Sequence, residues 1–398
     1  MSDITSACAK AAAMIGGIGR WLESQDYNYI ECNHVPEHLF THNRRVNTLL
    51  RTFFRLCPVN MRRMRRPQSG LYPLTPQSNV AMLRACMLTG DTAAADKLLR
   101  RLLELRSPKT RNFALRQGIR IAISIYENSA DDPSPLNTAW FGHLLLDMPP
   151  ASLAEDELAS LLGSIARYFV SESGYDDHGR RGVYFRYGPT VQKEIYNASA
   201  VISAFLLKFG TRFGDELCMS LGQRGIGYIC NVQNPDGSWF YAEGAAPAVD
   251  NFHQSYILQA LCESQPLLPF DIGQNIRRGT EYYRGLFVTD GDCLRPLRYD
   301  RRYTPRNTWL LQHVDGRDVA EAIILFSKYR PEEATAARLV NYAYDKLFNR
   351  RRGYMYPEIL LYGKNRIPYI EFQGWYLCAF TTFVYEYEKS LQDSYALS

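Results

Sequence analysis

The sequence predicts an all-α protein built from repeated helix pairs. Aromatic loops that contain a glycine recur along the second half of the chain, and segments of helical periodicity flank each loop. The four loop glycines are separated by 55, 54 and 62 residues, and they are Gly182, Gly237, Gly291 and Gly353. A period of that length, made of helix, loop and helix, indicates a repeat architecture.

The segment from Asn234 to Leu261 shows the repeat unit most clearly. Its Pro-Asp-Gly sequence suits a turn, because proline presets φ and glycine accepts a positive φ. Asp250 then stands at the expected N-cap of the next helix, and apolar residues follow it at helical spacing. The unit is therefore one helix, an aromatic hairpin loop, and a second helix with a polar first turn.

Counted together with the N-terminal helices, the chain supplies about six such pairs. That number closes into an (α/α)6 toroid of inner and outer helices, with an open solenoid as the alternative arrangement. We expect a single domain in which residues 75–398 form the toroid. Residues 1–74, a helical segment and a basic loop, are expected to pack on it. The second helix of each pair should lie inside, with its N-terminus at the face of the short aromatic β-hairpin loops.

The composition narrows the class of protein. The chain has 398 residues, of which 46% are hydrophobic, so it can bury a large core. A net charge of +5 is too small to indicate a nucleic-acid partner. Nine cysteines without a CxxC pair favour reduced thiols and a cytoplasmic location, with the inner face of the membrane as a candidate site of action. The arginine-rich stretch 44–66 is either a solvated basic face or a contact for an anionic group.

Polar residues gather at the predicted starts of the inner helices, where closure of the ring would bring them around one mouth. The candidate catalytic residues are His253, His313, Tyr196, Asp250, Asp315 and Glu371. The candidate substrate-binding residues are Asn137, Tyr184, Tyr187, Asn197, Trp239, Tyr241, Asn251, Gln254, Asp318, Tyr369 and Trp375. Aromatic walls with carboxylates, amides and helix N-termini suit a sugar that carries an acidic group.

Several of these residues also have a purely structural interpretation. Asp250 is a good N-cap, and Trp239 has the size to fill the space between two helix pairs. His253 and His313 differ from them, because no capping role accounts for a histidine just inside a helix start. We expect neither a cofactor nor a metal ion, since the chain has no nucleotide-binding loop and no paired metal-ligand motif.

Four segments together resemble a bacterial family of polysaccharide-biosynthesis proteins that are encoded among glycosyltransferases. The first is the Asp-Gly-Ser-Trp run at 236–239 with the Asp-Asn-Phe-His run at 250–253. The others are residues 195–200, residues 313–325 and residues 365–375, so that the resemblance covers most of 135–385. Residues 233–239 also resemble a repeat of triterpene cyclases, but the chain lacks the acidic motif of those enzymes.

The resemblance implies a toroid of the six-hairpin glycosidase-like type, related in fold to uronate C5-epimerases and polysaccharide lyases. It also implies a role in making exopolysaccharide, capsule or lipopolysaccharide. The expected partner is an acidic oligo- or polysaccharide, free or lipid-linked, with glycosyltransferases and membrane assembly proteins as candidate protein partners. C5-epimerisation of a uronate is the first expectation for the reaction. The alternatives are a glycoside hydrolase or lyase, and a non-catalytic glycan-binding scaffold.

Overall fold

The computed structural model describes residues 2–56, 72–123, 126–188, 191, 193–244, 248–303 and 313–396. In the described part of the chain, six helices form an inner layer: α3 (Pro76–Thr89), α5 (Pro135–Asp147), α7 (Tyr196–Phe213), α9 (Asn251–Ser264), α11 (Gly316–Ile324) and α13 (Ile370–Ala396). Six form an outer layer: α1 (Ser2–Ser24), α4 (Thr92–Glu104), α6 (Glu155–Arg167), α8 (Glu216–Asn231), α10 (Gly273–Arg284) and α12 (Glu333–Tyr342). Helix α2 (Arg44–Leu56) lies between α1 and α3 in the chain.

The inner helices close into a ring. Each packs against the next in chain order, and α13 packs against α3 to complete the circle. The structure therefore confirms the (α/α)6 toroid, with the second helix of each pair inside. Helix α1 packs against α12 and α13 and takes the sixth outer position. None of the described helices combines the length and the apolarity that a membrane crossing needs.

Burial separates the two layers. In α7 every residue from Tyr196 to Leu207 is buried, as expected for a helix with neighbours on all sides. In α4 the buried residues are Ala94, Ala95, Leu98, Leu99 and Leu102, which recur at helical spacing along one face. The extent of burial thus distinguishes an inner helix from an outer one.

Short antiparallel hairpins join outer helices to inner ones. They are β1 (Ile121–Ala122) with β2 (Glu127–Asn128), β3 (Tyr175–Asp177) with β4 (Val183–Phe185), β5 (Phe287–Asp290) with β6 (Cys293–Pro296), and β8 (Phe348–Asn349) with β9 (Tyr354–Met355). A three-stranded sheet has the order β11 (Gly363–Lys364), β10 (Glu358–Leu360), β7 (Val314–Asp315). The four loop glycines have φ values of 110°, 92°, 60° and 72°, which confirms that their loops require glycine geometry.

A polar side chain in the first turn ties four of the inner helices to the preceding loop. In each case its oxygen accepts a hydrogen bond from a backbone N–H of that loop. The pairs are Thr138 with Leu115, Ser199 with Phe185, Gln254 with Trp239 and Gln373 with Met355. The two glutamines also donate to the carbonyl of the same loop residue, at 2.7 and 2.8 Å. These bonds hold the hairpins over the N-terminal ends of the inner helices.

Glycine permits the close packing of α7 against α8. A Cβ placed on Gly222 would lie 2.5 Å from the backbone nitrogen of Leu207. We expect Gly222→Ala to lower the free energy of unfolding by about 1–3 kcal/mol, because backbone atoms cannot rotate away from the added methyl group. Thermal or denaturant unfolding measures the change.

Gly19→Ala is the matched control. Gly19 also lies inside a helix, but a Cβ there would meet no atom within 4 Å. This variant should keep or raise stability, by up to about 1 kcal/mol from helix propensity. Equal stability of the two variants would contradict the packing argument.

Candidate functional site

Charged and imidazole side chains converge at the face where the inner helices begin. We call these residues the mouth cluster: Arg55, Asp250, His253, Arg298, His313, Asp315, Arg317, Asp318, Glu358 and Glu371. Every carboxylate among them is buried, whereas Arg55, His253 and His313 keep a small exposed fraction. The two histidines and Arg55 therefore present the cluster to a ligand.

His253 and Asp250 form a dyad at the start of α9. The Oδ1 atom of Asp250 caps the helix by accepting from the His253 backbone N–H at 3.2 Å, and its Oδ2 lies 2.7 Å from His253 Nδ1. The imidazole lies between the rings of Tyr241 and Phe252, at centroid distances of 4.6 and 4.0 Å. Burial lowers the pKa of His253 despite the neighbouring carboxylate. At neutral pH the ring is thus a neutral base, oriented by Asp250, with Nε2 as its basic nitrogen.

His313 has the opposite protonation state. Its Nε2 lies 3.4 Å from Glu358 Oε1 and 3.8 Å from Asp315 Oδ2. Burial would lower the pKa of His313, but hydrogen bonds and the charges of the two carboxylates raise it to about 9. Pairing of β10 with β7 sets Glu358 opposite Asp315, which explains why two carboxylates meet one imidazole. His313 is therefore a protonated acid at neutral pH.

Three arginines balance the carboxylates between the two histidines. Arg317 bonds both oxygens of Asp315, at 2.9 and 2.6 Å. Arg298 donates to Asp318 at 2.7 Å and lies 4.0 Å from Asp250 and 3.8 Å from Asp315. A backbone bond from Asn251 N–H to the Arg298 carbonyl holds that loop against α9. A continuous chain of charges thus runs from the dyad to His313.

Arg55 reaches the cluster from α2. Its Nη2 lies 3.0 Å from Asp315 Oδ2, and its Nε donates to Glu358 Oε1 at 3.1 Å. The backbone carbonyl of Arg55 accepts from the Tyr369 hydroxyl at 3.3 Å. The arginine-rich stretch was expected to be either a solvated basic face or an anion contact, and one of its arginines, Arg55, binds carboxylates of this chain itself. Residues 57–66 of that stretch lie outside the described part of the structure.

Asp318 is a second candidate acid. Its Oδ1 accepts from Arg298 and, at 3.2 Å, from the backbone N–H of Phe252. Its Oδ2 is buried and forms no hydrogen bond with any described residue. Burial raises the pKa of Asp318 to about 8, which outweighs the attraction of Arg298. The carboxyl group is thus protonated near neutral pH, unlike Asp250 and Asp315, whose pKa values are lowered.

Glu371 extends the cluster to the chain segment before α2. It accepts from Cys32 Sγ at 2.7 Å and lies 3.4 Å from Arg317 Nη1. Among the described residues, two groups bring three potential metal ligands within 4.8 Å: Glu31, Cys32 and Glu371, and also His313, Asp315 and Glu358. In the second group the guanidinium of Arg55 already contacts both carboxylates. Burial raises the pKa values of Glu31 and Cys32, so the first group favours protons over a cation.

Predicted tyrosines form walls beside the cluster. Tyr241 contacts His253, and Tyr369 reaches Arg55. The Tyr187 hydroxyl lies 3.3 Å from that of Tyr126, with the two rings 5.4 Å apart. Burial raises the pKa values of Tyr187 and Tyr241, so both hydroxyls stay protonated.

Other predicted residues occupy structural positions. Trp239 is fully buried and donates its Nε1–H to the Ile229 carbonyl at 2.9 Å, while Gln254 holds the backbone of Trp239. Asn251 accepts from the Tyr283 hydroxyl at 2.9 Å. Three more are buried near the helix starts without an observed contact to the mouth cluster, namely Asn137, Tyr184 and Asn197. Tyr196 is also buried and packs against Tyr228, with the two rings 6.3 Å apart.

Trp375 belongs to an aromatic layer one helical turn below the mouth cluster. Its ring lies 6.4 Å from that of Trp140, which lies 4.9 Å from that of Tyr256. Trp375 also donates to Glu321 at 2.7 Å. Below this layer a cavity of about 320 Å³ extends toward the opposite face. We call this cavity the lumen.

Sequence reasoning did not single out Arg298, Arg317 and Glu358 as site residues. Arg317 lies between two predicted site residues, Asp315 and Asp318, and this position in the sequence could have indicated that it belongs to the site. Arg298 and Glu358 are brought to the site by β-bridge and strand pairing between distant segments. Local sequence patterns do not predict such pairing.

Comparisons with known proteins identify the fold and no family. No family model matches the chain, and no curated protein matches it. A family 76 glycoside hydrolase (mannosidase) from Bacteroides thetaiotaomicron superimposes with a TM-score of 0.59 at 9% identity, covering 97% of this chain and 100% of that one. A cellobiose 2-epimerase from Spirochaeta thermophila gives 0.56 at 13% identity, covering 80% and 87%. A D-mannose isomerase gives 0.52 at 10% identity, covering 77% and 86%. The chain is thus a toroid of the kind found in these proteins.

The raised pKa of His313 makes a prediction for stability. A group whose pKa rises from 6.5 to about 9 on folding stabilises the folded state fully below pH 6.5, and that contribution is lost as the pH rises through 9. We expect His313→Gln to lower the free energy of unfolding at pH 6 by roughly 2–3 kcal/mol relative to the unmodified chain. The difference should shrink at pH 10. Urea titrations at the two pH values measure it, and an equal difference at both would contradict the protonated state.

Proposed function

We propose that the protein is a carbohydrate-active enzyme that transfers a proton at C5 of a uronate residue, with the mouth cluster as its active site. The observation that carries the proposal is the pair of histidines with opposite pKa shifts, joined by one network of charges. A reaction that removes a proton from one face of a carbon and returns one to the other face needs such a base and such an acid. The inner helices also direct the positive ends of their dipoles toward this face.

In the proposed reaction His253 Nε2 takes the C5 proton. The electrons of the C5–H bond move toward the substrate carboxylate, whose charge the guanidiniums near the mouth stabilise. His313 then delivers its proton to the opposite face of C5, so that one C–H bond breaks and one forms. His253 ends protonated and His313 neutral, and exchange with solvent restores both. Asp250 holds the His253 ring in the tautomer that leaves Nε2 free.

Arg55 is the arginine best placed to meet the substrate carboxylate. It has an exposed side-chain fraction of 15%, compared with 7% for Arg298 and 9% for Arg317. A planar guanidinium pairs with a carboxylate through two parallel hydrogen bonds. Tyr241 and Tyr187 supply aromatic surface for the sugar ring.

The comparisons support carbohydrate chemistry in general terms. Among the solved structures with this fold are a mannosidase, a cellobiose 2-epimerase and a mannose isomerase by their descriptions. The resemblance to polysaccharide-biosynthesis proteins supports a nascent acidic glycan, lipid-linked or free, as the substrate. Glycosyltransferases and membrane assembly proteins are the partners that this role implies.

Glycoside hydrolysis is the second candidate reaction. Asp318 has a pKa raised to about 8, whereas Asp250 and Asp315 have lowered pKa values. A glycosidase needs two carboxyl groups whose pKa values differ. One then serves as the acid and the other as the base or nucleophile. A non-catalytic glycan-binding role is the outcome if no substrate changes.

Proton exchange tests the reaction directly. The protein is incubated in deuterated water with uronate-containing oligosaccharides, and C5 is followed by NMR and mass spectrometry. We expect deuterium at C5 without chain cleavage. Cleavage with an unsaturated end would indicate a lyase, and cleavage with a new reducing end a hydrolase. Binding without any change would favour the scaffold role.

Substitution of the dyad supplies the matched test. His253→Ala should reduce exchange by about 10²–10⁴-fold, the usual contribution of a general base, while glycan binding persists. His178→Gln is the control, because His178 lies in the β3–β4 loop and pairs with Glu194 outside the mouth cluster. Equal loss in both variants would argue against a specific role for His253.

The pH dependence of exchange follows from the two imidazoles. The rate should rise as His253 loses its proton, at a pH below 6.5, and fall as His313 deprotonates near pH 9. In the His313→Gln variant the exchange rate should no longer fall at alkaline pH, and its maximum should be lower. An unchanged alkaline limb in that variant would exclude His313 as the acid.

A further inference from the structure

The lumen has the size of a small-molecule site. Its volume of about 320 Å³ lies at the lower end of the range for ligand pockets, enough for one sugar ring with a substituent. Its roof is the aromatic layer of Trp140, Tyr256 and Trp375. Its lining reaches Leu88 and Tyr385 near the C-terminal ends of the inner helices, where Tyr385 is 46% exposed. The lumen is thus reached from the face opposite to the mouth cluster.

Arg84 lies in this cavity and has no direct charged partner among the described residues. It projects from the third turn of α3 and lines the lumen. Its guanidinium forms neither a hydrogen bond nor an ion pair with any residue that the structure describes. The side chain of Arg84 is partly exposed, as expected for a group that opens onto the cavity. Burial lowers the pKa of Arg84, but neighbouring groups, Cys378 first and Glu263 among them, raise it, so the guanidinium stays charged. The donors of Arg84 are therefore available to an acceptor that enters the cavity.

The other charges near the lumen are already matched. Lys208 pairs with Asp147 and lies 3.6 Å from Glu263. Lys328 lies 3.9 Å from both Asp147 and Glu263. Among the described residues beside the lumen, two lysines thus offset two carboxylates, and Arg84 adds a further positive charge.

The remaining titratable groups beside the lumen leave its excess of positive charge in place. Glu263 also accepts from the Tyr329 hydroxyl at 2.5 Å and lies 3.2 Å from His143. Glu386 and Lys389 add one charge of each sign where α13 lines the lumen.

Glu321 and Tyr256 complete the polar groups under the aromatic layer. Both oxygens of Glu321 are occupied, since Trp375 and Gln259 each donate to one of them at 2.7 Å. Burial raises the pKa of Glu321 to about 7, which weakens its charge as a partner for Arg84. The hydroxyl of Tyr256 is buried and has no hydrogen-bond partner among the described residues. The observation that points to a bound ligand is the guanidinium of Arg84, which lines the cavity and has no direct partner among the described residues.

We propose that the lumen is a second binding site, for a small sugar-sized molecule that carries one carboxylate or phosphate group. Arg84 binds the oxyanion through two of its N–H groups. Trp140 and Trp375 contact the apolar face of the ring. This site lies on the other side of the aromatic layer from the dyad, and its occupancy does not depend on the reaction proposed there.

Calorimetric titration of the full chain tests the proposal with three probes: D-glucuronate, D-glucose 6-phosphate and neutral D-glucose. We expect saturable binding of at least one anionic probe and binding of D-glucose weaker by about ten-fold or more. Preference for glucuronate or for the phosphate identifies the anionic group. Absence of binding for both anionic probes, or equal affinity for glucose, would overturn the proposal.

Variants locate the site. Arg84→Met should weaken anion binding by about ten-fold or more, while Arg84→Lys keeps a charge and part of the affinity. Leu88→Trp narrows the lumen without removing a charge and should also weaken anion binding. It provides the test if Arg84→Met fails to fold. Arg224→Met is the control, because Arg224 pairs with Asp177 on the outer layer. His253→Ala should leave this binding unchanged. Loss of binding in His253→Ala but not in the Arg84 or Leu88 variants would place the ligand at the mouth and overturn the lumen site.

Discussion

The bond between the first turn of an inner helix and the loop before it is the constraint on which the site depends. Gln254 and Gln373 each hold one loop residue by both its N–H and its carbonyl, and Ser199 and Thr138 hold theirs by the N–H. A loop fixed in this way cannot slide along its helix. Glu358 follows the loop that Gln373 holds, and strand pairing sets it opposite Asp315. The loop of Arg298 is held by a different bond, because the Arg298 carbonyl accepts from the backbone N–H of Asn251 at the start of α9.

So many buried charges are tolerated because they are arranged as an alternating network. Isolated buried ions are costly, but each carboxylate of the mouth cluster that is held ionised touches an arginine or a histidine. Asp318 is an exception. Arg298 contacts it as well as other carboxylates, and this contact does not keep the carboxyl group of Asp318 ionised. Burial lowers the pKa of His253, whereas the carboxylates of the network raise the pKa of His313. The two histidines therefore differ in protonation state, which links the stability of the mouth to its proposed chemistry.

The architecture was largely predictable from the sequence, and the site only in part. Loop glycines and helix periodicity are local signals, so the ring and the order of its layers followed from them. Asp250 and His253 were predicted because an N-cap and a first-turn histidine are read from neighbours in the chain. Trp239 was expected near a ligand but lies in the core, since a hairpin pattern does not reveal which side of the loop a ring faces. Arg298 and Glu358 depend on pairing between distant segments, for which the sequence offers no local cue.

The ring closes through contacts between segments that are far apart in the sequence, and this has a consequence for biogenesis. Helix α13, near the C-terminus, packs against both α1 and α3, near the N-terminus. During synthesis the first helices therefore leave the ribosome long before α13, which covers them in the folded protein. Their apolar faces stay exposed until α13 has been made. Contacts of such high sequence separation slow folding and leave time for aggregation. The protein should accordingly depend on chaperones during translation, and loss of the last helix should disrupt the beginning of the chain as much as its end.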